Sequence, residues 1–523
     1  MSKRGILRAS VIQMLFNAAA IGLAFFREML IANYFGTSAA ADAYLVAYAI
    51  PLVLYTVTTT VLPLVLVPAL ERSGPLGEEG KRTLAGTNAI ILVSLGILSV
   101  VMWLGAPLII RLQAPGLDAE TSRLAIDLFN IMVPIVLLLS LAWVAVSWMF
   151  SLKRFVLPAL AKVLFNLTGV LILLALATLY GVKMAAFGVL IGAGLQLAML
   201  VPGWLRSRMP IFSWKAAVTP QVRSVMGAGL IMIPVQANLY LYLVVDRFLA
   251  SMLPQGTIAV LGYADKVTKA FLGITIAALG VVIFPYFAEM AAGNHREKLD
   301  NLVKFAIRLS ALMMLPVQFG LLAAGKPLVR LLFERGAFLP QDTILTTVAL
   351  NYQLIGLFTA GLSLVLYRVL FASRRYKTAL VVSMLAVALN IALKVGLTPL
   401  MGYTAIPLST SIASVVEAGM IAYALRRDVA CFATWPVYRD VGKILAASLA
   451  AGASVYLLRN ALDVTVGLWQ TAWAQVLVLA ALGCAVYVAA LALLRVEDMP
   501  MLAAAARRVL RRKALPLGKD GRP

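Results

Sequence analysis

Fourteen apolar runs, each long enough to cross a bilayer and parted only by short polar breaks, constrain this 523-residue chain more than any other feature. A spanning helix needs about 20 mostly apolar residues. The runs cover 8–33, 41–70, 84–110, 122–151, 156–180, 184–204, 222–250, 257–290, 299–323, 343–372, 378–400, 403–425, 438–458 and 466–494. Runs such as 41–70 and 257–290 exceed one bilayer thickness and predict tilted, bent or projecting helices. Only 13% of residues are charged and 62% are hydrophobic, against about 25% charged in soluble domains. No polar stretch is long enough for a soluble domain. The fold class is therefore an all-α polytopic membrane protein with 14 transmembrane helices. The start, Met1-Ser2-Lys3-Arg4, resembles a signal peptide, but the apolar run continues past Ala18-Ala19-Ala20 to Ala32, which predicts an uncleaved first helix.

Orientation follows from the loops. Lys and Arg gather after the even spans: Arg72, Lys81 and Arg82; Lys153 and Arg154; Arg206, Arg208 and Lys215; Arg296 and Lys298; Arg374, Arg375 and Lys377; Arg426, Arg427 and Arg439. The intervening loops are nearly bare, with no Lys or Arg in 34–40, 251–256 and 401–404, and the loop after span nine, with Lys326, Arg330 and Arg335, is the exception. Basic loops stay in the cytoplasm, so both termini are expected there. The net charge of +23 then reflects contact with anionic membrane lipids, not nucleic acid. The basic tail, with Arg507, Arg508, Arg511, Arg512 and Lys513, belongs on the inner leaflet.

The chain echoes itself. Arg27-Glu28, then Ala41-Asp42-Ala43-Tyr44, then Pro68-Ala69-Leu70-Glu71 are matched by Asp246-Arg247, then Gly262-Tyr263-Ala264-Asp265, then Pro285-Tyr286-Phe287-Ala288-Glu289. The repeats share direction, so they predict two six-helix lobes about an axis along the membrane normal, with substrate bound between them. The expected organisation is an N-lobe at 1–215, a C-lobe at 216–430, two extra helices at 431–495 and the basic tail at 496–523.

The few charges inside apolar runs mark the candidate site, because a charge at membrane depth costs a few kcal/mol or more unless paired or wet. Arg27, Arg247, Lys266 and Lys269 lie near the outer ends of spans facing the lobe interface. Arg grips phosphate with a fork and Lys as a point charge, so the set suits an anionic, phosphorylated substrate. Each cation also has a carboxylate close at hand: Arg27 with Asp42, Arg247 with Asp246, Lys266 with Asp265. Glu28, Asp42 and Asp265 are candidate gate or ion-pair residues. Lys394 lies mid-span, four residues after Asn390 and on its face, with Asp246 and Glu417 as candidate partners. Asp246, Asn390, Lys394 and Thr410 form a possible coupling site. The hydroxyls of Thr56, Thr58, Thr59 and Thr60, and of Ser409 to Ser411, are expected to bond their own or a neighbouring helix. Cys431, Cys484 and the single histidine, His295, fit no metal or redox pattern. No enzyme signature stands out, so no catalytic residue, no metal and no cofactor is expected, and the protein is read as a transporter, not an enzyme, and as a monomer.

Several segments together resemble the MurJ (MviN) lipid II flippases: Phe26-Arg27-Glu28-Met29-Leu30-Ile31-Ala32 with Phe35-Gly36, Ala41-Asp42-Ala43-Tyr44 and Ile50-Pro51; Asp246-Arg247 with Ala250-Ser251, Leu253-Pro254, Gly256 and Tyr263-Ala264-Asp265; Leu331-Leu332-Phe333-Glu334-Arg335-Gly336-Ala337-Phe338; and Leu408-Ser409-Thr410-Ser411. The resemblance implies the MOP exporter fold, alternating access and a multi-pass place in the bacterial inner membrane. It implies an undecaprenyl-diphosphate-linked glycan as cargo, lipid II for peptidoglycan first, and a lipid-tail groove in helices 13 and 14. Arg27, Asp42 and Asp265 match the family's functional residues. Ile21, Tyr55-Thr56 and Thr58-Thr59-Thr60 stand where the family often carries arginines or an acidic-Gly motif, and Lys394 stands where some sodium-coupled members carry a carboxylate. An exporter of a lipid-linked exopolysaccharide or O-antigen unit, or a small-molecule antiporter of the MATE type, are the alternatives.

Overall fold

The computed structural model describes residues 3–206, 210–238, 241–273, 296–373, 375–426, 429, 435–465 and 472–496, and every regular element among them is helical. In chain order these are α1 (Lys3–Phe35), α2 (Ala39–Ser73), α3 (Glu78–Leu104), α4 (Ala106–Gln113), α5 (Ala119–Met132), α6 (Pro134–Ser151), α7 (Val156–Tyr180), α8 (Lys183–Arg206), α9 (Trp214–Ala217), α10 (Pro220–Asn238) and α11 (Leu241–Ser251). After α12 (257–273) come α13 (Arg296–Phe333), α14 (Pro340–Leu354), α15 (Leu357–Ala372), α16 (Tyr376–Met401), α17 (Ala405–Leu425), α18 (Trp435–Thr465) and α19 (Ala472–Leu493).

Among the described residues, ten helical stretches are long and apolar enough to cross a membrane, and α14 with α15, bent by 45°, makes an eleventh candidate. One of the ten is the 50-residue stretch Tyr376–Leu425, which is two helices, α16 and α17, parted by a short 3-10 turn at Gly402–Thr404. The expected spans at 222–250 and 257–290 run into residues 239–240 and 274–290, outside the described set, so fourteen spans stays an expectation. His295, Cys431, the tail from 497 and the echo at 285–289 also lie outside the described residues.

Packing divides the chain into two compact units: residues 1–266, 332–349 and 383–409, and residues 267–331, 350–382 and 410–523. They interleave along the chain. In the first unit, small residues bring α7 and α8 together. A Cβ on Gly188 would stand 3.1 Å from Gly169 Cα, and one on Gly192 would stand 2.6 Å from the Phe165 carbonyl oxygen. Small residues at such a seam let backbones approach where burial from lipid supplies no drive. Trp148, Leu66, Leu70 and Leu84 fill the core between α2, α3 and α6.

α2 holds Pro51, Pro63 and Pro68, and its hydroxyl run behaves as expected. Thr56 donates to the Leu52 carbonyl at 2.7 Å, Thr58 to Tyr55 at 2.8 Å, Thr59 to Thr56 at 3.0 Å and Thr60 to Thr56 at 2.9 Å. In the second unit, Ser411 and Ser414 mend the break between α14 and α15. Ser411 Oγ donates to the Tyr352 carbonyl at 2.7 Å and accepts from the Gly356 N–H at 3.1 Å. Gln318 of α13 accepts from the Phe358 N–H at 3.0 Å. Non-helical backbone at membrane depth needs such internal partners. Arg308 of α13 pairs with buried Asp440 of α18 at 3.1 Å, tying those two helices.

Candidate functional site

The functional geometry of the first unit centres on Arg27, near the end of α1. Its side chain is only 6% exposed, and its stem lies where Gly169 of α7 leaves room: a Cβ there would stand 3.1 Å from Arg27 Cδ. Arg27 Nη2 contacts Glu28 Oε1 at 3.3 Å, and Lys266 Nζ of α12 meets the same oxygen at 2.6 Å. One carboxylate thus faces two cations, leaving the cluster net positive. Arg27 Nε and Nη1 are buried and donate no hydrogen bond to any described residue; the Tyr48 ring lies 5.9 Å from Cζ. Buried donors left in this state are costly and favour an incoming anion.

Asp42 does something different from the expected pairing with Arg27. Its Oδ2 accepts from the Gly256 N–H and its Oδ1 from the Ala259 N–H, both at 2.7 Å. A carboxylate from α2 thereby caps the N-terminus of α12, meeting orphan amides and the positive end of the helix dipole. Gly256 is required: its φ is +87°, and a Cβ would fall 2.4 Å from the Thr37 carbonyl oxygen. Around this cap, Tyr263 Oη donates to the Gly36 carbonyl at 2.9 Å, and the Ala337 N–H donates to the Asn33 carbonyl at 2.8 Å. Gly336, at φ +58°, allows that approach, since a Cβ would stand 2.3 Å from Asn33 O. Thr37 Oγ1 donates to Asp342 Oδ1 at 2.6 Å. Tyr263, Phe333 and Phe338 cluster behind the loops, with ring centroids 5.1, 5.5 and 5.8 Å apart. The loops 36–38, 252–256 and 334–339 therefore form one closed seam where α1 passes into α2.

Packing gives the cations partners other than the expected ones, although adjacent residues can meet, as Arg27 and Glu28 do. Arg247 does not pair with Asp246; its Nη1 donates to the Ile258 carbonyl at 3.0 Å. Lys266 pairs with Glu28, not Asp265, which is half-buried. Lys269, three residues on, is exposed and falls in the second unit. Asp246 instead contacts Lys394 of α16 directly. Lys394 is fully buried, while the Asp246 side chain keeps 22% exposure, so the pair is reached from the carboxylate side. The Tyr242 ring lies 5.6 Å from Lys394 Nζ, and Asn390 is buried one turn away. Glu417, the other candidate partner for Lys394, accepts from Tyr367 Oη at 2.7 Å. Thr410 falls in the second unit.

The description "Lipid II flippase MurJ" fits a family model matching residues 31–480. The chain belongs to this family. It is 27% identical over 516 residues to a protein named probable lipid II flippase MurJ from Synechocystis sp., covering 91% of this chain and 92% of that one. It is 26% identical to the lipid II flippase MurJ of Burkholderia cenocepacia over 77% of this chain and 80% of that one. Among solved structures, a lipid II flippase MurJ in an inward closed conformation superposes with a TM-score of 0.79 at 24% identity, over 91% of this chain and 98% of that one. An inward-facing multidrug MATE transporter of the MOP superfamily gives 0.64 at 13% identity, over 81% and 99%. The all-helical MOP-type fold and a multi-pass place in the inner membrane follow from this family and the apolar helices.

Sequence reading missed three things here. Glu28 as the shared partner of Arg27 and Lys266 depends on an approach of α1 to α12. Tyr263 as a seam residue reads in sequence as one more aromatic in an apolar run. Lys162 of α7, half-buried, was recoverable: it interrupts the apolar run 156–180 and lies seven residues before Gly169.

Proposed function

We propose that the protein moves an undecaprenyl-diphosphate-linked glycan, lipid II first, from the cytoplasmic to the periplasmic leaflet by alternating access, and that it is a transporter without a catalytic reaction of its own. The observation that carries this reading is buried Arg27, held beside Glu28 and Lys266 with two nitrogens that have no hydrogen-bond partner among the described residues. The names of its curated relatives support lipid II as the cargo. In this reading fourteen spans place both termini in the cytoplasm, 1–215 and 216–430 act as the two lobes, and helices in 431–495 guide the lipid tail. Arg27 holds the diphosphate, with Lys266, Arg247 and Lys269 contributing. Asp42, Asp265 and Glu28 serve the outer gate: the seam closes that side, and opening it costs the Asp42 cap on α12. The protein works as a monomer among anionic lipids.

For coupling, the Lys394 ammonium beside Asp246 stands as a built-in cation, with Asn390 and Thr410 as further coupling residues, so sodium is not required. Transport that still depends on sodium after replacement by choline would sink this part.

The main test is growth rescue in cells depleted of their essential lipid II flippase. The protein restores growth, and Arg27→Ala abolishes rescue at equal membrane abundance. Failure of the unaltered protein to rescue despite stable expression would overturn lipid II as cargo. One observation favours a second reading, a lipid-linked exopolysaccharide or O-antigen unit: the hydroxyls at 56–60 of α2 bond their own helix and lend no positive charge. A MATE-type cation antiporter fits the cationic surroundings of Arg27 least well.

A further inference from the structure

Lys162 sits six residues into α7, about 9 Å along its axis, in the membrane-crossing stretch Val156–Tyr180. It is half-buried, and no described carboxylate pairs with it. A charge kept at such depth without a partner is expensive and usually functional. Its position is specific. Lys162 and Gly169 are seven residues apart, so they share one face within about 20° and lie about 10 Å apart along the axis. Gly169 is the residue against which the Arg27 stem rests.

α8 adds a second, independent observation. Gly188 opposes Gly169, and Gly192 opposes Phe165, so the helices run antiparallel and the next turn brings Gln196 level with Ala161 and Lys162. Gln196 is 2% exposed, and its Oε1 accepts no hydrogen bond among the described residues. Asn166, one turn above Lys162, gives its amide to the Lys162 carbonyl at 3.0 Å. Neither Gln196 nor Asn166 carries a charge to neutralise the ammonium.

We propose that Lys162 is a second anion-binding residue of the cargo site, converging with Arg27 on one diphosphate. This rests on the cargo reading above. Arg27 comes from α1 with its Cδ already against Gly169, and a lysine stem of four carbons spans about 6 Å of the roughly 10 Å that separate Lys162 from Gly169 along α7, so a single diphosphate can bridge the gap that remains. A bland competitor exists: a lysine whose ammonium snorkels to a phospholipid headgroup. Both sources offer a phosphate, and the diphosphate distinguishes them.

The test uses the full-length protein in phosphatidylcholine nanodiscs, with farnesyl diphosphate as the probe. Lys162→Met weakens binding about tenfold, the loss of one charge-assisted contact, and Lys162→Arg restores it. Farnesyl monophosphate shows a smaller dependence on Lys162. The ligand-free Tm of Lys162→Met does not fall, because no ion pair is lost. In the unaltered protein, farnesyl diphosphate protects the Lys162 amine from acylation, read by mass spectrometry, and phosphatidylglycerol does not. Equal affinity of Lys162→Met and the unaltered protein, a fall in the ligand-free Tm, or equal protection by phosphatidylglycerol each overturns the proposal. If the unaltered protein binds no farnesyl diphosphate and fails to rescue growth, the cargo reading falls and Lys162 with it. If it binds and rescues while Lys162→Met binds equally, only the role of Lys162 falls.

Discussion

A buried charge in this protein is defined by its partner, and the partner decides what removal costs. Lys394 is fully enclosed against Asp246. Lys394→Met leaves a partly exposed carboxylate without its cation, which costs less than the full loss of a buried pair, about 1–3 kcal/mol, and should lower the thermal midpoint in detergent. Adding Asp246→Leu should recover much of that loss, because an apolar pair then replaces an ion pair enclosed on its lysine side. A double variant no more stable than Lys394→Met would show that the two residues do not act as a pair. Asp42 follows a different logic, as both of its oxygens cap α12. Asp42→Ala should cost about 1–2 kcal/mol and raise the reactivity of a cysteine placed at Thr37 toward a membrane-impermeant thiol reagent. Unchanged reactivity would separate Asp42 from the seam.

Helices in this membrane protein are held by small residues and by hydroxyls more than by apolar bulk, since lipid is as apolar as leucine. The α7–α8 seam shows it. Gly192→Leu would drive a side chain into the Phe165 carbonyl, 2.6 Å from where even a Cβ would stand. The expected outcome is a lowered thermal midpoint together with impaired Arg27-dependent rescue, because the face of α7 that seats Arg27 moves. Rescue at the level of the unaltered protein would show the close seam to be dispensable. At the α14–α15 break, Ser411→Ala strips a donor from the Tyr352 carbonyl and an acceptor from the Gly356 N–H. A loss of about 1–3 kcal/mol follows from leaving such groups unmet, readable as faster hydrogen exchange at 353–357. Identical exchange in the variant and the unaltered protein would argue that water can serve as well.

Across the whole molecule, alternating access predicts that the seam of loops 36–38, 252–256 and 334–339 must part. Gly336→Ala tests this directly. The position needs φ +58° and has a carbonyl oxygen 2.3 Å from where a Cβ would go. The strain, about 1–3 kcal/mol, falls on the closed state alone, so the variant should shift toward the open outer face, seen as faster labelling at Thr37Cys with little change in helix content by circular dichroism. No change in labelling would place the gate elsewhere.

The length of the apolar runs determined helix and membrane, and the charges that interrupt them marked the candidate site, because a charge at membrane depth must be paired or wet. Arg27, Asp42, Asp246, Lys266 and Lys394 were all legible as costly positions. Of their partners, Asp246 for Lys394 was one of two candidates the sequence offered, and the structure selects it. The others were not legible: Lys266 meets Glu28, which comes from a helix more than a hundred residues away, and no spacing announces that approach. The same holds for Asp42, whose ligands are two backbone amides that no side-chain pattern announces. Composition and spacing fix which groups must be satisfied; only helix packing, through close approaches at Gly169, Gly256 and Gly336, decides by what.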